Sequence, residues 1–283
     1  MKEKEKNTIN EQLTTNLKKY IETIINKYEK YIPKERLIFL KNINNYSQII
    51  KIYDYKSING MANSEHINLP STAELILKEF KRFKGFGTNK QHKSYNKDTL
   101  LYNNNTFVDY LNHVFVTGET PLDYYNDLLL HETMHFCGSN GGSALKEGIN
   151  ELLTRKIALD YDFITNGCAY NKEIKIALQL EDILGEEVIN QIAFTKSAKE
   201  ISTFLINNVS KEAADLYFNI DRLMEEEFYK KYYKDMNSYN GLKGVYQKIT
   251  NYNEIDYSKV YQLLEDYKKL QLNKRIATKK WRI

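Results

Sequence analysis

Cysteine and proline are both scarce in this 283-residue chain, with two of the first and three of the second. Two cysteines, Cys137 and Cys168, cannot build a disulfide framework or a cysteine-ligated structural metal site. Few prolines and only twelve glycines argue against many long loops. No apolar run reaches the roughly 18 residues of a membrane-spanning helix. The amino-terminal MKEKEKNTINEQ has no apolar stretch of the signal-peptide kind. The expectation is a cytoplasmic protein with no membrane span, export by another route staying open. No internal repeat is found. Gly85-Phe86-Gly87 is too short for a phosphate loop and lacks the following Lys-Ser/Thr. Neither charge sign dominates: the formal net charge is +4. The basic tail NKRIATKKWRI reads as a solvated helix end, and no nucleic-acid-binding motif accompanies it. Histidine is the most telling shortage. There are five, His66, His92, His113, His131 and His135, and none follows His135.

What is present is a core-forming chain with a histidine pair in it. Hydrophobic residues make up 42% and charged residues 28%, enough for one large domain or two lobes. The excess of Lys, Asn, Ile and Tyr points to an AT-rich bacterial or phage genome. Residues 131 to 135 read His131-Glu132-Thr133-Met134-His135. On a helix, positions i and i+4 share a face about 6 Å apart. Two imidazoles so placed can share one Zn²⁺, and the glutamate between them can act on a zinc-bound water. So short a string can arise by accident, so its surroundings decide its weight.

Those surroundings are helical. Thr120 can cap, Pro121 suits the first helical position, and Asp123 faces the positive end. Leu122, Tyr125, Leu129, Thr133 and Phe136 follow helical spacing and form a mostly apolar back face. The two histidines lie off that stripe. Gly138 and Gly141-Gly142 supply the stop. Catalytic zinc takes three protein ligands and keeps one position open. The metzincin pattern needs a histidine where this chain has Gly141, so that subclass is excluded. A carboxylate is offered instead. Ser143 can cap a second helix, SALKEGINELLTRKIALDY, with Leu145, Ile149, Leu152 and Leu153 on its buried face. Glu147 and Glu151 stand at i and i+4 on another face. Glu147 can bind the metal, and Glu151 can accept the N–H of a ligand histidine.

HETMH followed by KEGINELLT resembles the gluzincin group of zinc peptidases, which includes thermolysin and the zinc aminopeptidases. The resemblance covers about residues 120 to 160. Lys146 stands where the group often has asparagine, Glu151 where thermolysin has aspartate, and Glu147-Gly148 matches the aminopeptidase EG. The gap from His135 to Glu147 is shorter than in those branches. The resemblance implies one Zn²⁺ per chain held by His131, His135 and Glu147, with Glu151 orienting a histidine. It implies that Glu132 takes a proton from the attacking water and passes it to the leaving amine. An oxyanion donor is also implied, for which Arg155 or a tyrosine such as Tyr161 or Tyr170 is available. Gly60-Met61-Ala62-Asn63 is a weak echo of the aminopeptidase GxMEN string. Ala62 stands at its essential glutamate, so the segment reads rather as a turn before the Ile67–Leu69 strand.

The expected fold is α+β and mostly helical: a zincin-like, two-lobed arrangement. An amino-terminal lobe, residues 1–142, carries a small mixed sheet and the HExxH helix. A helical carboxy-terminal lobe, residues 143–283, carries the third ligand. Helices are expected over 9–31, 35–43, 71–83, 172–184, 187–194, 198–207, 211–233 and 257–272. Strands are expected over 47–55, 67–69, 106–110 and 113–117, with 84–98 irregular. One strand should border the cleft, since gluzincins hold peptide substrates along a sheet edge. His113 reads as an ordinary strand histidine, and Cys137 as an inert, half-buried thiol. The expected function is a zinc-dependent metallopeptidase acting on a peptide or protein substrate, an endopeptidase with narrow substrate choice. The alternatives are an aminopeptidase, an inactive zincin scaffold used for binding or regulation, and a helical interaction protein with an accidental HETMH. The intact Glu132 argues against an inactive scaffold. The oligomeric state is left open.

Overall fold

The computed structural model describes residues 3–53, 60–70, 95–96, 101–102, 121–139, 141–161, 163, 170–233, 252 and 254–280. The elements within them are α1 (Glu3–Tyr28), α2 (Lys34–Lys41), β1 (Ile50–Tyr53), β2 (Met61–Ala62), β3 (Ile67–Pro70), β4 (Tyr95–Asn96) and β5 (Leu101–Tyr102). They continue with α3 (Pro121–Phe136), α4 (Ala144–Asp160), α5 (Asn171–Leu184), α6 (Glu186–Phe194), α7 (Ala198–Asn208), α8 (Lys211–Phe228) and α9 (Ser258–Lys280). The fold is α+β and mostly helical.

Helix α1 shows why the chain folds as it does. Leu13, Leu17, Ile21, Ile24 and Tyr28 recur every three or four residues, and all are buried. Each such side chain contributes roughly 1.5–3 kcal/mol on leaving water. The stripe lies against α3, where Asn16 also donates to Asn126 at 2.8 Å. The back face expected of α3 is there as well: Tyr125, Leu129, Thr133 and Phe136 are buried. Core residues from both sides of position 142 belong to one hydrophobic cluster.

Helix α4 is the hub, packing on α3, α5, α6 and α8. Its start is fixed three times. Ser143 accepts from the Lys146 N–H and donates to Asp221 at 2.6 Å, and the Ala144 N–H donates to Glu225 at 3.0 Å. Both acids come from α8 and suit the positive end of a helix. Gly148 lets α5 come close: a Cβ there would sit 2.6 Å from Glu173 Cβ and 2.8 Å from its carbonyl carbon. The glycine of the Glu147-Gly148 pair therefore serves the α4–α5 crossing.

The three-stranded sheet has the order β1-β3-β2, with β1 parallel and β2 antiparallel to β3. Two local expectations change. Tyr46–Gln48 is a 3₁₀ turn, capped by the Asn45 side chain, so the first strand begins only at Ile50. Met61–Ala62 is not merely a turn but a short edge strand, with Asn63 folding the chain back by accepting from the Glu65 and His66 N–H groups. Tyr95–Asn96, expected to be irregular, pairs antiparallel with Leu101–Tyr102. Helix α8 ends in a π-helical turn at Tyr229–Tyr233. The helix expected over 71–83 and the strands over 106–110 and 113–117, with His113, lie outside the described residues, as do His92 and Cys168.

Substituting Gly148→Ala should force α4 and α5 apart and lower stability by about 1–3 kcal/mol. A lower thermal unfolding midpoint checks this; an unchanged one would mean that the crossing has slack.

Candidate metal centre

Three chain segments build the centre. Helix α3 brings His131, Glu132 and His135 in its last turns. Gly138, at φ +111°, and Gly142, at φ +94°, turn the chain back. Helix α4 then sets Glu147 and Glu151 beside the histidines. The third segment, β2, packs against α3.

Glu147 is the pivot of this geometry. Its Oε1 accepts from the Gly142 N–H at 3.0 Å. Its Oε2 lies 3.4 Å from His131 Nε2 and 3.2 Å from His135 Nε2. One oxygen is tethered while the other meets both imidazoles. The far side of each ring is held too. His131 Nδ1 lies 2.7 Å from Glu151 Oε2, and His135 Nδ1 lies 3.4 Å from the Ser139 carbonyl oxygen. Both rings thus turn Nε2 to the same point. His131, His135 and Glu147 each offer one ligand atom, all within 4.8 Å of one another. Four ligands at about 2.0–2.2 Å from a tetrahedral zinc would be separated by roughly 3.3–3.6 Å. Two imidazole nitrogens and one carboxylate oxygen are a donor set that could hold a divalent metal, and the 3.2 and 3.4 Å oxygen–nitrogen separations lie close to that spacing. Gly141 makes room for it, since a Cβ there would lie 2.6 Å from Glu147 Oε1 and 2.8 Å from His135 Cε1.

Glu151 is clamped from behind. Arg155, wholly buried, donates from Nε to Glu151 Oε1 at 2.9 Å and from Nη1 to Asn171 Oδ1 at 2.9 Å. Arg155 was a candidate oxyanion donor in the sequence; its guanidinium is instead committed to supporting Glu151 and to Asn171, the first residue of α5. Of the two tyrosines considered, Tyr161 is exposed and stacks on Phe163, whereas Tyr170 stacks on His131. Buried Asn150 places Nδ2 3.4 Å from both nitrogens of the His131 ring and from its carbonyl oxygen.

Glu132 is buried, 5% exposed. It faces the edge strand, where the Ala62 N–H hydrogen-bonds it and a Cβ on Gly60 would lie 2.7 Å from Oε1. Among the described residues, β2 borders the pentad at Glu132, in the segment whose sequence reads as a turn. Its signal was the glycine, which read as a turn and serves a close approach. Arg36 secures this side, donating to the Phe136 carbonyl at 2.5 Å and the Ser64 carbonyl at 2.7 Å. Cys137 is fully buried rather than half-buried, and burial pushes its thiol up to about 12; it is inert.

The electrostatics follow from burial and pairing. Burial opposes charge on His131, but hydrogen bonds to Glu147 and Glu151 outweigh it and hold its pKa well above the ordinary value. Burial would raise Glu147 and Glu151, but His131 and His135 together at Glu147, and His131 and Arg155 together at Glu151, outweigh it, so both stay below the usual carboxylate range. Glu132 goes the other way: burial raises it, and the two imidazoles only partly compensate.

Comparisons with protein-family models, with curated proteins and with solved structures found no match to this chain.

In metal-free protein, the His131 ring should titrate above 6.5, and Glu147→Gln should move it down, as ring-proton NMR would record. The raised His131 pKa contributes stability that is complete below the unfolded-state value and lost as pH rises through the folded one. The depressed Glu147 contributes stability that is lost as pH falls through its folded pKa. Metal-free protein should therefore lose stability on both limbs. A flat upper limb would contradict the pairing.

Proposed function

We propose that this chain is a zinc-dependent metallopeptidase with a gluzincin-type site, in which His131, His135 and Glu147 hold one Zn²⁺ and Glu132 is the general base. The observation that carries the reading is the single Glu147 oxygen facing two Nε2 atoms, with an intact glutamate between the histidines. A bound zinc would acidify a water and polarise the scissile carbonyl.

The rest falls to the chain's own groups. Glu132 takes the water's proton and returns it to the departing amine. Its raised pKa suits a group that must hold that proton between the two transfers. Glu151 keeps the proton of His131 on Nδ1, leaving Nε2 free to ligate. The Ala62 N–H points away from β3 toward Glu132, and in a strand its carbonyl points the same way. With that N–H taken by Glu132, the Ala62 carbonyl is the group left at the sheet edge, and an extended peptide can donate a main-chain N–H to it and lie beside Glu132. Ala62 supplies no carboxylate to hold an amino terminus, which favours an endopeptidase. Among the described residues no helix is long and apolar enough to cross a membrane, and the substrate is read as a peptide or protein.

Elemental analysis after exhaustive dialysis should find one zinc per wild-type chain and none in His131→Ala or Glu147→Ala. Glu151→Ala should bind zinc about 10–100-fold more weakly. Glu132→Gln should keep the zinc and lose about 10²–10⁴-fold in peptide hydrolysis. Wild type without zinc, even after reconstitution, would leave the cluster as a buried ion pair and remove the enzymatic reading.

A further inference from the structure

Tyr170 is poorly suited to its backbone. It is the non-glycine residue with positive φ among the described residues, at φ 58° and ψ 23°. The left-handed region is costly for a residue with a bulky side chain and easier for glycine or asparagine. It also occupies the N-cap of α5 without a side-chain cap hydrogen bond, a position that favours Ser, Thr, Asp and Asn. Two local preferences are violated at one residue.

The surroundings show what holds it there. The next three residues are all anchored. Asn171 accepts from buried Arg155. The Lys172 ammonium donates to the Tyr252 and Ile255 carbonyls at 3.1 and 2.7 Å. Glu173, fully buried, accepts from the Tyr252 and Tyr257 hydroxyls at 2.5 and 2.7 Å. The first turn of α5 is therefore fixed between α4 and the segment before α9. A strained conformation persists where its neighbours over-determine it, and such positions cluster at functional sites. The Tyr170 ring lies on the His131 ring, with centroids 5.7 Å apart and planes 12° from parallel.

We propose that Tyr170 is a positioning residue for His131, its ring held by the anchored start of α5 so that it fixes the plane in which His131 presents Nε2. This rests on His131 being a metal ligand. Glu151 pins one nitrogen of the ring and Asn150 approaches both; the stacked tyrosine face covers the ring plane itself. Tyr252, Ile255 and Tyr257 then bear on the centre through α5.

The test compares Tyr170→Phe and Tyr170→Asn with wild type. It reads zinc affinity by competition with a chromophoric chelator, and the unfolding midpoint of metal-free protein. Phenylalanine keeps the ring, and its zinc affinity should stay within about twofold of wild type. Asparagine tolerates the backbone but lacks the ring, and should weaken zinc by about 10-fold or more, the range for groups that orient a ligand. Its metal-free midpoint should equal or exceed that of wild type, because the strain is relieved. Affinity lost while stability is kept is the signature that mere packing would not give. Wild-type affinity in Tyr170→Asn would overturn the proposal. So would a collapsed metal-free midpoint in that variant, or an equal loss in Tyr170→Phe, which would assign the effect to the hydroxyl. Wild type that takes up no zinc would sink the metal-centre reading itself, and that result is visible before any variant is compared.

Discussion

Helix α4 must bury polar groups that cannot stand alone, and the arrangement around the centre follows from satisfying them. Asn150, Glu151, Thr154 and Arg155 are all buried on a helix hemmed in by four others. A buried carboxylate or guanidinium without a partner is far too costly to keep. Glu151 and Arg155 answer each other at 2.9 Å, yet a buried pair of this kind gains little over well-packed apolar side chains, whereas breaking it costs about 3–5 kcal/mol. Stability alone gives no reason to hold these two in place of leucines. Their remaining contacts give one. Glu151 spends its other oxygen on His131, and Arg155 spends another N–H on Asn171. The pair thus ties the His131 ring to the start of α5.

Close approach is the second constraint, and glycine meets it at three places. Gly60 admits the Glu132 carboxylate against the sheet edge, Gly141 admits His135 and Glu147 to each other, and Gly148 admits α5 against α4. At each position a side chain of the centre, or one packed beside it, lies within a side chain's reach of backbone. The centre is dense because backbone, not side chain, forms part of its wall. That density also lets the Gly142 N–H hold Glu147 Oε1, which leaves the other oxygen to the histidines.

The legible parts of this protein were those with local signals. Pro121 and the spacing from Tyr125 to Phe136 marked α3, Ser143 marked the start of α4, and two i, i+4 pairs suggested which faces meet. Periodicity marks α5 to α9 to within a few residues, apart from the longer run of α9. What stayed hidden depends on tertiary contact. The strand at Met61–Ala62 is two residues long and carries no periodicity. Arg155 looked available for substrate because nothing in an α-helical string says that a guanidinium will be wholly enclosed. Tyr170 is one of 23 tyrosines, and neither a positive φ nor a stacked partner leaves a mark in sequence. The double glycine at 141–142 was readable as a helix stop, but its space-making and its N–H required the folded hairpin.

The charges of the centre suggest why three glutamates share so small a volume. Glu132, Glu147 and Glu151 bring three negative charges when all are ionised, and Arg155 cancels one. The two that remain sit with two imidazoles in a region shielded from water, where like charges repel strongly. Protons on the imidazoles are one remedy, and the upward pull of Glu147 and Glu151 on His131 is its trace. A divalent cation is the other, and it leaves both imidazoles neutral, which ligation demands. The proposed zinc binding and imidazole protonation are then competing ways to neutralise the same carboxylates. On the proposed reading, zinc affinity should rise with pH up to the His131 pKa, because a proton has to leave before the metal can take its place.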